Sequence, residues 1–395
     1  MQITYFPYLF LDRQSEIGFG DIKVWNFSKK ATQYVRDVKL RSYIRKLLYS
    51  NISNKKPIKD IGVLSIGDTN FREFNSEELE TANEVRLVLF LSFLALNNTT
   101  ERGANVGLFM ATSENFEFIR QDFQPSTEHI AEQSGHIVTM LVGGHKIGEK
   151  KFYSPSYVPR PQKFSLDDSL INQLLRLKKR GGKKLYKRIL RATDLIFESY
   201  YNNSNVSNNA RALLQIAAFE TLLNIPTNSQ RKHFKDSIEK YCNLPGEKQY
   251  LHSYETREGK KLERISLKAI WADNYYTLRN HIIHGNKIGL QRFLFKGKQR
   301  HLDIAILFFV LLVKKLINEK VKKKAFYDEI VWGKTNNGRD VYEGFIYQKN
   351  ELRSLVAKFL TRAKVKKEMT SDSIWVKKIQ KKEPNQSSSE RIKTQ

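Results

Sequence analysis

Over residues 1–160 apolar and polar positions alternate in short runs. Residues 3–11 and 21–27 are rich in aromatic and branched side chains and are parted by Gly18 and Gly20, which predicts two strands and a turn. Residues 61–66, 106–110 and 136–142 read as further strands. One helix interrupts them. It opens at Ser76 with Glu77 and Glu78 in the first turn, where the positive end of the helix dipole favours acids, and runs to about residue 96. Pro155, Pro159 and Pro161 then mark a boundary.

Beyond the prolines the apolar period changes from that of a strand to that of a helix. Ser165 and Asp168 form a capping box ahead of a helix over 166–177. Gly181 and Gly182 break the pattern, which resumes over 184–201 and gives way to a polar loop over 202–209. Residues 210–224 are amphipathic up to Pro226, and 231–241 up to Pro245 and Gly246. A long helix over 262–284 ends at Gly285, and an apolar one covers 302–317. Asn336–Asn337–Gly338 predicts a hairpin within 326–347, with one more helix over 352–363. The expected fold class is α+β: an N-terminal mixed α/β module (1–160), an all-α bundle (161–325), a C-terminal hairpin and helix (326–368) and a basic, disordered tail (369–395).

Composition narrows the function classes. The single cysteine, Cys242, excludes an intrachain disulfide framework and four-cysteine zinc modules. The amino terminus lacks the basic start and cleavage site of a secretory signal, and the longest uncharged apolar run, 304–313, is half of what a bilayer needs. A cytoplasmic protein with no membrane partner is expected. The 68 Lys and Arg against 41 Asp and Glu give a net charge of +27. That field favours nucleic acid through counterion release, although Lys- and Asn-rich genomic composition produces such a balance too.

The segment over 271–286, WADNYYTLRNHIIHGN, carries the chemistry. At about 100° per residue, Leu278, Trp271, Ile282, Tyr275, Ala272, Ile283 and Tyr276 fall on one apolar arc. Asp273, Thr277, Asn280 and His284 form a narrow polar stripe beside it. Arg279 lies inside the apolar arc, where a guanidinium must meet an acid, a phosphate or another subunit. Glu220, on the apolar face of the helix over 210–224, is the acid within reach. Two readings fit the pair: a structural ion pair, or an acid holding a cation for chemistry.

Arg279–Asn280 followed by His284 resembles the R-polar-x3-H signature of the HEPN superfamily, all-helical domains found in many RNases. The surrounding ARALLQIAAFETLL and YYTLRNHIIHG resemble its Apea-like branch, over about residues 165–320. More loosely, the N-terminal half resembles modules that precede this domain in prokaryotic defence proteins. The resemblance implies a metal-independent endoribonuclease of the anti-phage, abortive-infection or toxin type. Such enzymes use the ribose 2′-hydroxyl as nucleophile. Imidazole moves protons near neutrality, and guanidinium neutralises charge on the pentacoordinate phosphorus. His284 would then be general base or acid, Arg279 the charge stabiliser, Asn280 an orienting group and Glu220 the support for Arg279. His281 would be a bystander or second phosphate contact. The resemblance also implies a homodimer, or a higher even oligomer, with the site across the two-fold axis, and a phage-derived trigger sensed by the N-terminal module. The alternative is a non-catalytic dimer that binds RNA or a phage component.

The remaining motifs are weaker. RLKKRGGKKLYKRILR, over 176–191, is either an RNA-tracking surface (Lys179, Arg180, Lys183, Lys184 and Lys187) or a solvated helix face. The run over 314–324 and the basic tail read the same two ways. Glu149-x-Lys151, with Asp122 upstream, is a poor metal-nuclease motif, since Glu258-x-Lys260 matches as well. His129, His136 and His145 lack zinc spacing, and no phosphate-cradling glycine loop is present. No cofactor or metal is expected.

Overall fold

The computed structural model describes residues 1–11, 16–53, 56–59, 61–67, 71–97, 112–123, 130–134, 137–139, 152–153, 163–164, 166–201, 206–242, 249–256, 259–296 and 299–322. The expected strand over 106–110, the Pro155–Pro161 boundary, His129, His136, His145, Glu149, Lys151, Glu258 and everything from 323 onward lie outside them.

The chain opens with β1 (Gln2–Leu11), β2 (Ile17–Phe19) and β3 (Ile22–Asn26), then α1 (Phe27–Tyr34) and α2 (Val38–Tyr49). β4 (Asn51–Ser53), β5 (Lys56–Pro57) and β6 (Ile61–Ile66) lead into α3 (Ser76–Asn97). β7 (Ile119–Phe123), β8 (Ile130–Ser134), β9 (Ile137–Thr139), β10 (Phe152–Tyr153) and β11 (Lys163–Phe164) follow. The main sheet runs β2-β3-β6-β1-β7-β8-β9 with antiparallel neighbours, and β11 joins β1 in parallel. Its two faces are read off the alternation. Ile3, Tyr5, Trp25 and Val63 point to α1 and α2, where Trp25 stacks on Tyr34 at 4.6 Å. Phe6, Leu9, Val24 and Leu64 point the other way, into the core shared with α3 and the later helices.

The single N-terminal helix expected from the sequence is one of three. α1 is capped by the Asn26 side chain accepting from the Ser28 N–H, and α2 by Asp37 accepting from the Lys39 and Leu40 N–H groups. Their buried residues keep helical spacing, Phe27, Ala31 and Tyr34 in α1 and Ile44, Leu47 and Leu48 in α2, a signal the sequence reading passed over.

The second half holds α4 (Asp168–Lys179), α5 (Lys183–Ser199), α6 (Asn208–Leu223) and α7 (Gln230–Tyr241). A hairpin, β12 (Gln249–Thr256) and β13 (Gly259–Ser266), precedes α8 (Leu267–Ile283); β14 (Leu294–Phe295) and β15 (Gln299–Arg300) precede α9 (His301–Lys322). Three expectations change. The region is not all helix, because β12 and β13 pair over their full length, with Gly259 at φ +115° opening β13. The long helix accordingly starts at Leu267, not at 262. The cap of α4 is Asp167, whose side chain accepts from the Leu170 N–H.

The second half of α3 and the middle of α9 are apolar on all sides because each is enclosed. Val85, Val88, Leu89, Phe90 and Leu91 of α3 and every residue from Ile304 to Val313 of α9 are buried. Each such side chain contributes about 1.5–3 kcal/mol of burial. α3 packs on α4, α5 and α9, so sheet and helices share one core. Among the described residues no helix is long and apolar enough to cross a membrane.

Candidate functional site

α8 begins where Ser266 accepts a hydrogen bond from the Ala269 N–H at 3.2 Å. Trp271, Ala272, Tyr275, Tyr276 and Leu278 are buried, which fixes the rotation of the helix. It ends in a Schellman motif: the Gly285 N–H bonds the Ile282 carbonyl and the Asn286 N–H bonds that of His281, both at 3.0 Å. Gly285 sits at φ +69°, a left-handed conformation that a side chain disfavours by about 1–2 kcal/mol. The stop leaves His284 at the C-cap, facing solvent.

Arg279 occupies the last turn, and the structure brings Glu220 of α6 to it. The Arg279 Nη2 to Glu220 Oε1 distance is 3.7 Å, and Arg279 Nη1 donates to Asn280 Oδ1 at 3.2 Å. Tyr276, read from the sequence only as packing, completes the group. Its hydroxyl donates to Glu220 Oε1 at 2.5 Å, with Gln230 Oε1 at 3.0 Å, and the guanidinium lies 5.2 Å from its ring centroid. Burial and the Glu220 charge push the Tyr276 phenol well up, so it stays a donor. The Arg279 side chain keeps 23% of its surface exposed. Its guanidinium is oriented yet retains N–H groups for an incoming anion.

The two histidines differ. His281 is held on both sides: Nε2 meets Arg292 Nη1 at 3.2 Å and Nδ1 meets the Asn286 side-chain amide at 3.0 Å. Both ring nitrogens of His281 therefore already have a neighbour within hydrogen-bond distance. His284 is exposed, and its imidazole makes no hydrogen bond or ion pair among the described residues. Around it Lys287 and Arg292 are exposed, as are two apolar side chains, Ile283 at 52% and Leu290 at 77%.

The polar stripe does not run evenly along α8. Asp273 is buried, clamped by Arg231 Nε and Nη2 at 2.7 and 2.6 Å and by His252 Nε2 at 3.2 Å. Burial alone would raise its carboxyl. The His252 and Arg231 hydrogen bonds outweigh that and bring it down to about 2. Thr277 bonds back to the Asp273 carbonyl at 2.8 Å. Neither reaches the last turn, and nothing in the spacing pointed to Arg231 or His252 as partners.

Of the basic stretch, Lys179, Arg180, Lys183, Lys184 and Lys187 are all exposed on α4, α5 and the Gly181–Gly182 break, elements other than those that carry Arg279 and Glu220. Among the described residues no group of three or more His, Cys, Asp or Glu is placed to hold a metal ion. Compared with protein-family models, with curated proteins and with solved structures, the chain gives no significant match.

Proposed function

We propose that the chain is a metal-independent endoribonuclease of HEPN type, acting in the cytoplasm in anti-phage defence or as a toxin. The observation that carries this reading is an oriented, part-exposed guanidinium (Arg279, held by Glu220, Asn280 and the Tyr276 ring) followed by an exposed imidazole, His284, with no partner among the described residues. In the reaction the 2′-oxygen bonds to the neighbouring phosphorus as His284 takes its proton. The bond from phosphorus to the 5′-oxygen breaks, and the leaving oxygen acquires a proton. Arg279 neutralises the equatorial oxygens, where charge accumulates. The products are a 2′,3′-cyclic phosphate and a 5′-hydroxyl.

On one helix, positions 279 and 284 project about 140° apart. A scissile phosphate reaches both roles when two copies of α8 meet, and the exposed Ile283 and Leu290 beside His284 suit that contact. The same angle also suits the second reading: a dimer that binds RNA or a phage component without cutting. The experiment is cleavage of RNA by purified protein in the presence of chelator, with ends mapped. Arg279→Ala and His284→Ala each lower the rate at least ~100-fold while folding persists. Wild-type protein that binds RNA and never cuts it decides for the second reading.

A further inference from the structure

A cavity of about 340 Å³ opens between the β2–β3 turn, α3, α4 and α5. That is at the small end of the range of roughly 300–1,000 Å³ for ligand pockets. Three ammonium groups line it, Lys178, Lys179 and Lys183, and one carboxylate, Glu84. Glu84 is already engaged: Lys178 Nζ lies 2.5 Å from its Oε2 and the Tyr186 hydroxyl donates to the same oxygen at 3.2 Å. Lys179 and Lys183 are exposed and make no ion pair among the described residues. Two positive charges therefore face the cavity uncompensated.

The local backbone adds to that field. α5 starts at Lys183 with no side-chain cap and no acid in its first turn, and Lys183 and Lys184 stand where the helix dipole disfavours cations. An anion bound there would relieve the mismatch. The preceding turn is tight. Gly181 is left-handed at φ +79°, and a Cβ on Gly182 would lie 2.8 Å from the Leu177 carbonyl oxygen. Opposite the lysines, Phe19 supplies an apolar wall.

We propose that this cavity binds a small phosphorylated molecule of about the size of a nucleoside monophosphate. Its phosphate would sit on Lys179, Lys183 and the open N–H groups of α5, and its apolar part against Phe19. Charge decides between this ligand and a passing RNA strand. A terminal phosphate monoester carries about −1.5 to −2 and matches two lysines, whereas each internal phosphodiester carries one charge. The site shares no element with Arg279 and stands independently of the ribonuclease reading.

The test is calorimetric titration of the full chain with AMP, adenosine, orthophosphate and a single-stranded RNA octamer. AMP is expected to bind once per chain, adenosine not to saturate, and orthophosphate to compete with AMP. Lys179→Gln/Lys183→Gln weakens AMP at least tenfold, Lys179→Arg/Lys183→Arg retains it, and Arg279→Ala leaves it unchanged. No saturable AMP binding, or equal binding by the glutamine variant with its thermal melt intact, overturns the proposal. So does an octamer whose affinity falls in that variant while AMP never binds, which would make the lysines a nucleic-acid surface.

Discussion

In the interior of the helical layer, Lys314 of α9 meets Asp167 at 2.7 Å with both side chains almost sealed from water, and Asp273 in the middle of α8 is gripped from two sides at 2.6–3.2 Å. At the last turn of α8 the Arg279–Glu220 pair is 3.7 Å apart, each partner about one-fifth exposed, and His284 beyond it has no partner among the described residues. The short, dry pairs hold elements together. The open one leaves hydrogen-bond capacity facing solvent, as a site for an external anion requires. Loosely held charge at the end of an otherwise rigid helix is what separates candidate chemistry from architecture here.

The contrast has measurable consequences. The largest concerns Lys314→Ala. It strands the Asp167 carboxylate inside the core and should lower unfolding free energy by about 3–5 kcal/mol in urea titration. A loss below 1 kcal/mol would mean that the interior pair is no tighter in effect than the surface one.

Next is acid. His301, stacked on Tyr275 of α8 at 5.3 Å, is buried with its Nδ1 unpartnered, and burial pulls its imidazole down to about 3. Its folded pKa is thus below the unfolded value, so as pH falls below about 6.5 the unfolded chain takes the proton first. The stability present above that pH is lost on the way down, by about 3 kcal/mol at pH 4. His301→Phe should flatten this slope; an unchanged slope would place the acid sensitivity elsewhere.

Asp273 comes third. Its carboxyl is lowered from 3.8 to about 2, so it contributes about 2 kcal/mol that is present above pH 4 and lost as pH falls toward 2. Asp273→Asn should cost a similar amount at pH 7. The smallest effect is that of Arg279→Ala on stability, under about 1 kcal/mol. If this variant melts like Asp273→Asn, Arg279 belongs with the architectural pairs and the contrast collapses.

Much of this was legible in the residues. The stop at Gly285 and the placement of Arg279 in an apolar arc with Glu220 as its acid follow from spacing within a turn or two. The β12–β13 hairpin was not, because Leu262 and Ile265, three apart, suit a helical period better than an alternating one; cross-strand pairing set them on a strand, with Ile265 buried and Leu262 exposed. Tyr276 was assigned to packing because nothing local shows that a buried phenol will find Glu220, 56 positions away.

The amino-acid order by itself determined where α8 ends and which of its faces is apolar, since a glycine φ angle and the 3.6-residue period act over a few neighbours. Tertiary structure alone decided that Asp273 is sealed by Arg231 and His252 while His284, on the same stripe, stays open. It also decided that Lys179 and Lys183, both exposed, line one cavity. Burial and charge pairing depend on elements far apart in the chain, whose approach is set by the whole core and not by any segment of it.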